Sequence, residues 1–252
     1  MKKAFTIAVI LGFIFGFSLI PLLAQDDQAQ KAAEGKKILE KSIAAMGGRD
    51  RLAKVGDMQT TAELKIIPMD LTATRITYTK GFTKIRLETK VMGMNTVMAY
   101  DGKTGWILSP QTGSAMDMPE PLLEELQRSI IGNEGLINPD KYGITVTSEG
   151  RKTVEGKECN VLKQTYKDGV VNTIYVDSQT NLPFKTIAPS LNEMLQKVET
   201  EATITDYRDV EGMKVPFAIK VIQSGQEYAT ITMTEYKFHL ALEDSLFNRP
   251  AN

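Results

Sequence analysis

The hydrophobic period of the chain changes several times. From Ala4 to Leu23 the residues are almost continuously apolar, broken by Thr6, Gly12, Gly16, Ser18 and Pro21. Residues 25–35 are polar and predict a frayed start. From about Lys31 to Met46 the apolar positions Ile38, Leu39, Ile43 and Met46 recur at helical spacing with Lys and Glu between them. That pattern predicts an amphipathic helix stopped by Gly47-Gly48, with Asp50 as the cap of a short turn through Val55. From there to Pro110 the period is two. Ala62, Leu64 and Ile66 alternate with Glu63 and Lys65, and Ile85, Leu87, Thr89 and Val91 alternate with Lys84, Arg86, Glu88 and Lys90. Alternation of this kind predicts antiparallel strands with one dry and one wet face.

A second helix is predicted near Pro119–Ile131. Pro119 and Pro121 suit its entry, Leu122, Leu123, Leu126, Ile130 and Ile131 form its stripe, and Gly132 can end it before a loop, Asn133–Tyr142. Strands then resume from Ile144 to Tyr236, punctuated by Glu155-Gly156, Asp168-Gly169, Gln179-Thr180-Asn181, Glu211-Gly212 and Ser224-Gly225. A single antiparallel sheet of about eleven strands must curl, because long flat sheets leave exposed edges. The predicted class is therefore α+β and β-rich: a strongly curved, incompletely closed antiparallel barrel whose helices cover the concave side as a lid.

The first residues set the compartment. Lys2 and Lys3, the apolar run and Ala24 before Gln25-Asp26-Asp27 match the three parts of a secretory signal peptide. Residues 1–24 are read as that signal and 25–252 as one domain. Leu22 is larger than the usual residue three before a cut, and the run is long enough to span a bilayer, so an uncleaved anchor is the alternative. Pro21 favours cleavage and a periplasmic location. Without residues 1–24 the chain keeps 28 basic and 31 acidic residues, a formal charge of −3. Such a balance gives no basic footprint for nucleic acid.

One His and one Cys, Cys159, exclude a His-rich metal site, a four-thiolate zinc site and an internal disulfide. No cofactor is expected. Gly102-Lys103-Thr104 invites a phosphate-loop reading, but that loop needs Gly where Val97 stands, and the segment reads strand–turn–strand around Asp101-Gly102. Cys159 with His239 is the one nucleophile pairing left open; a buried structural thiol is the simpler reading. Glu124-Glu125 reads as a solvated pair on the polar side of the second helix. The remaining signal is methionine. Met92, Met94 and Met98 flank Gly93, and Met116 and Met118 precede the second helix. Together with Trp106 and the helix stripe Leu122, Leu123, Leu126 and Ile130, they can line a cavity for alkyl chains, since Met suits surfaces that accept varied apolar partners. Met as filler of an ordinary core is the competing reading.

Several segments also resemble bacterial outer-membrane lipoprotein-sorting proteins, relatives of the periplasmic carriers of the Lol pathway (LolA/LolB-like). They are Tyr100-Asp101-Gly102-Lys103-Thr104-Gly105-Trp106, Ala45-Met46-Gly47-Gly48, Gly156-Lys157-Glu158-Cys159, Asp206-Tyr207-Arg208 and Asp244-Ser245-Leu246-Phe247. The resemblance runs from about Lys36 to Pro250. It implies an incomplete barrel with a helical lid and a hydrophobic cavity for the acyl chains of lipoproteins or other lipids. It further implies an inner-membrane donor, an outer-membrane acceptor, no catalysis, and a lid-linking arginine for which Arg75 and Arg86 are the candidates. The alternative is an envelope structural or regulatory protein whose barrel is filled or senses lipid.

Overall fold

A computed structural model describes residues 20–250. Most of the signal-peptide reading, residues 1–19, lies outside the described residues. The first helix, α1 (Ile20–Ala45), is followed by the short α2 (Arg49–Ala53). The helix runs unbroken through residues 25–35, where the polar composition predicts fraying. Packing explains the difference: Gly35 is buried, and a Cβ there would stand 2.8 Å from the Thr147 carbonyl carbon, so α1 lies directly on a strand. Gly48 rather than Asp50 occupies the α2 N-cap, with no side-chain cap bond.

Six strands precede the inserted helix: β1 (Asp57–Ile66), β2 (Leu71–Lys80), β3 (Lys84–Val91), β4 (Met94–Tyr100), β5 (Gly105–Leu108) and β6 (Ala115–Asp117). The inserted helix α3 spans Glu120–Ile137 and is followed by a 3-10 turn, Pro139–Tyr142. It runs past Gly132 because Leu136 and Ile137 bury apolar surface one turn further on, Leu136 against the α1 cluster. Seven strands complete the chain: β7 (Thr145–Val154), β8 (Lys157–Thr165), β9 (Val171–Asp177), β10 (Pro183–Leu191), β11 (Lys197–Val210), β12 (Met213–Gln223) and β13 (Gln226–Leu240). The five turn signals read after Ile144 fall between these strands, and Asp101-Gly102 falls between β4 and β5.

The strands form one antiparallel sheet of 13, in the order β6-β5-β4-β3-β2-β1-β13-β12-β11-β10-β9-β8-β7. It is a continuous meander except at one point, where β13 returns to pair with β1. β6 and β7 are its two ends and do not pair with each other, so the barrel is open. The count exceeds the predicted eleven partly because β6, at three residues, is too short to show a period. Both helices pack on the same face. Ile38, Leu39 and Ile43 of α1 lie on Leu162, Ile174 and Val176, while Leu126 and Ile130 of α3 lie with Ile85 and Met118. The sheet curls around them, and their stripes and its dry face form the concave core.

The opposite, convex face of the first limb is covered by the C-terminal segment. A 3-10 turn, Asp244–Phe247, places Phe247 fully buried beside Trp106. The indole Nε1 of Trp106 donates to the Phe247 carbonyl at 2.9 Å, and Arg86 Nη1 donates to the Leu246 carbonyl at 3.0 Å.

Candidate functional site

Cross-strand register fixes which residues share the concave face. On β1 and β2 they are Ala62 opposite Arg75 and Leu64 opposite Ala73; on β3 and β4, Thr89 opposite Thr96 and Leu87 opposite Met98. The row continues across β13 and β12 through Met233, Ile231, Ile219 and Val221, and onto β11 with Ile204 and Ala202. Ala62, Leu64 and Ala73 are buried, whereas Ile204, Ile219, Val221, Ile231 and Met233 are half-buried. These residues make an apolar trough along the middle of the sheet, flanked by α3 on one side and α1 on the other.

α3 bridges the two limbs. Its apolar residues Leu122, Leu123, Leu126 and Ile130 pack on Ile85, Leu87, Met98, Tyr100 and Ile107 of β3–β5. Gly105 makes that contact close: a Cβ there would lie 2.8 Å from Leu123 Cδ1. Two polar contacts tie the same helix to the other limb. The Leu191 backbone N–H on β10 donates to Glu125 Oε2 at 2.9 Å, and Arg128 Nη1 meets Asp168 Oδ2 in the β8–β9 turn at 2.8 Å. At the C-terminal end Glu134 accepts from Lys141 at 2.7 Å and from the Tyr142 hydroxyl. On this side the helix is also held by Leu136 against the α1 cluster and by Arg49, whose Nη1 donates to the Ile137 carbonyl, so α3 is fastened to both limbs.

The structure disperses the residues singled out from the sequence. Met98, Met118, Leu122, Leu123, Leu126 and Ile130 meet in one cluster beneath α3. Met94 and Met116 are also on the concave face but are 49% and 50% exposed, and Met92 sits in the β3–β4 turn at 76%. Trp106 alternates to the convex face, packed with Val97, Ala99 and Ala115 under the C-terminal segment. Six of the ten therefore lie together, three are exposed, and Trp106 serves the opposite side. A cavity of about 870 Å³ lies elsewhere, between α1, the 3-10 turn Pro139–Tyr142 and β7, lined by residues such as Ala32, Leu39, Ile137 and Val146.

Two charged groups stand on or against this apolar interior. Arg75 lies in the trough, and its Nε donates to Thr89 Oγ1 at 3.1 Å. Burial lowers its pKa, with the Tyr228 phenol acting weakly the other way. Arg86, the other candidate for a lid arginine, is on the convex face, paired with Glu88 at 2.6 Å and lying 5.6 Å over Trp106. Glu125 is half-buried rather than solvated as its sequence context predicts. Burial pushes its carboxyl above the usual range, against the Leu191 N–H and the Arg128 charge. Alternation along β2 does not mark Arg75 as inward, since Thr74, Ile76 and Tyr78 on the other face are more apolar than Ala73, Arg75 and Thr77, and nothing in the sequence showed where the carboxylate of Glu125 would land.

The remaining chemical candidates resolve into structural roles. Asp101 Oδ1 accepts the N–H groups of Lys103 and Thr104, both at 2.8 Å, so Gly102-Lys103-Thr104 is a hairpin turn closed on its own carboxylate. Cys159 is fully buried on β8, and burial raises its thiol pKa. His239 is on β13, with four strands between the two, so they form no catalytic pair. Among the described residues no group of three or more His, Cys, Asp or Glu is placed to hold a metal ion, and no helix is long and apolar enough to cross a membrane.

A family model whose description reads "Uncharacterized protein" matches residues 58–251. No curated protein matches the chain. Among solved structures, a domain assigned to an outer membrane lipoprotein-sorting protein from Vibrio parahaemolyticus aligns with a TM-score of 0.59 at 13% identity, covering 86% of this chain and 97% of that one. A DUF1329 family protein from Desulfovibrio piger aligns with a TM-score of 0.57 at 14% identity, covering 85% and 97%. A LolA superfamily protein from Nitrosomonas europaea gives 0.57 at 13%, again covering 85% and 97%. The curved open sheet with helices on its concave face is the LolA-like fold.

Proposed function

Since the chain belongs to the family of uncharacterized proteins matched over residues 58–251 and has a LolA-like fold, we propose that it is a non-catalytic binder or carrier of acylated cargo. One observation supports the reading above the others: the concave face carries a row of apolar side chains interrupted by Arg75, and α3 spans from β3–β5 to the far limb, where it is held by Glu125–Leu191, Arg128–Asp168 and Leu136 against the α1 cluster. An acyl chain laid in the trough gains about 0.8 kcal/mol for each methylene removed from water, without covalent chemistry. Met98, Met118, Leu122, Leu123, Leu126 and Ile130 form the lid seam that such a chain would part. Met94 and Met116 stand at its margin.

The signal-like N-terminus supports export, cleavage after Ala24 and action in the periplasm between an inner-membrane donor and an outer-membrane acceptor. Lipid extraction and native mass spectrometry of the purified full chain test the binding. The expected result is co-purifying lipid or stoichiometric uptake of an added fatty acid. A chain that neither retains lipid nor takes up a fatty-acid probe would sink the reading. A second reading has its own support: α3 already buries Leu126 and Ile130 against β3–β5, as a filled barrel would. In that case the chain is an envelope structural or regulatory protein, and lipid leaves the protease sensitivity of α3 unchanged.

A further inference from the structure

Arg75 is a charged side chain set among apolar neighbours. Cross-strand from it is Ala62, and the next row toward the β1–β2 turn is Leu64, Ala73 and Val91. Its guanidinium makes one side-chain hydrogen bond among the described residues, Nε to Thr89 Oγ1 at 3.1 Å, and no carboxylate is within ion-pair distance of it; the nearby titratable group is the Tyr228 phenol, whose hydroxyl donates to Glu193 at 3.2 Å. A guanidinium has five donors in a planar fork. Withdrawing such a charge from water without a counter-ion is unfavourable, and the fork matches a carboxylate or phosphate in bidentate geometry. On the other side, Thr89 pairs directly with Thr96 across β3 and β4, so two hydroxyls follow the guanidinium along a single row. A purely aliphatic ligand has no use for any of these groups.

We propose that Arg75, with Thr89 and Thr96 beside it, is a headgroup site: it takes the carboxylate or phosphate of an anionic amphiphile whose tail lies along the trough. The inference rests on the acyl-binding reading and narrows it from apolar chains in general to chains with an acidic head.

The test is displacement of the neutral dye Nile red from the purified full chain by laurate and by dodecanol, whose tails match. Laurate should displace the dye at a concentration roughly ten-fold or more below that of dodecanol, the effect of one charge-assisted contact. Arg75→Met should erase the difference by weakening laurate toward dodecanol, and Arg75→Lys should keep part of it. Acetate and inorganic phosphate, which carry the head without the tail, should displace nothing. Equal displacement by laurate and dodecanol, untouched by Arg75→Met, overturns the headgroup site and leaves the acyl trough standing. Failure of both ligands overturns the acyl-binding reading itself. Inorganic phosphate competing with laurate at equal concentration assigns the row to a free anion and overturns the amphiphile.

Discussion

At the scale of single residues, two side chains show how the same alternation yields opposite roles. Arg75 is held in an apolar row by its register with Ala62 and Thr89, without a charged partner. Replacing a half-buried unpaired charge by an apolar side chain of similar length relieves part of a desolvation cost, so Arg75→Met should stabilise the ligand-free chain by about 1 kcal/mol at most. For a chain of this size that is a rise of roughly 2–4 °C in Tm, read by calorimetry; a fall of that size would show that Arg75 has a purely structural role. Trp106 is the reverse case. Its indole is buried and its Nε1 satisfies the Phe247 carbonyl, so Trp106→Phe leaves that acceptor unpaired and the pocket underfilled. The expected loss is about 2 kcal/mol, with earlier proteolysis of residues 244–250 as the local sign. Period-two reading put Trp106 near the methionines in sequence. It did not tell which face each belonged to, because β4 and β5 bury both faces and so show no polar alternation: Val97 and Ala99 are as apolar as Met98 and Tyr100.

At the scale of elements, the strands from β7 to β13 were legible where a turn signal separates them, as at Glu155-Gly156, Asp168-Gly169, Glu211-Gly212 and Ser224-Gly225; the β10–β11 connection, residues 192–196, has no Gly or Pro to mark it. β6 and the ends of the helices were not legible. α3 continues beyond Gly132 because tertiary burial of Leu136 and Ile137 outweighs one poor helix former. The contact of Glu125 with β10 was hidden for a related reason: its partner is a backbone N–H, which leaves no mark in sequence. That contact has a pH signature. Burial raises the Glu125 carboxyl above its unfolded value, so the folded chain holds this proton more tightly than the unfolded one. The stability it contributes is complete below the unfolded pKa and is lost as pH rises through the raised folded value. Glu125→Gln keeps an acceptor for the Leu191 N–H without the charge. Its Tm should therefore decline less than that of the native chain between the two pKa values, and lid opening, measured by hydrogen exchange in α3, should respond less to pH over the same window.

At the scale of the whole molecule, six of the seven large apolar side chains exposed among the described residues, all but Met116 on β6, are not scattered. Ile67 and Met69 are in the β1–β2 turn, Met92 and Met94 at the β3–β4 turn, and Met194 and Leu195 in the β10–β11 turn. In a meander these turns share one end of the sheet. Met92 and Leu195 are held at positive φ, +50° and +58°, where a side chain is normally disfavoured. Large apolar side chains kept exposed at such positions form a patch suited to contact with an apolar surface. Fully burying one such side chain is worth about 1.5–3 kcal/mol, enough for two or three of them to hold an apolar acceptor briefly. If cargo leaves the trough by this end, transfer of a bound fluorescent fatty acid to phosphatidylcholine vesicles should proceed by collision, its rate rising in proportion to vesicle concentration. Met92→Gln with Met194→Gln should slow that transfer several-fold without altering the Kd for the fatty acid, because neither side chain lies in the trough. A rate that stays constant as vesicles are added, and is unmoved by the paired substitution, would mean that the ligand dissociates through water and that this apolar end plays no part in delivery.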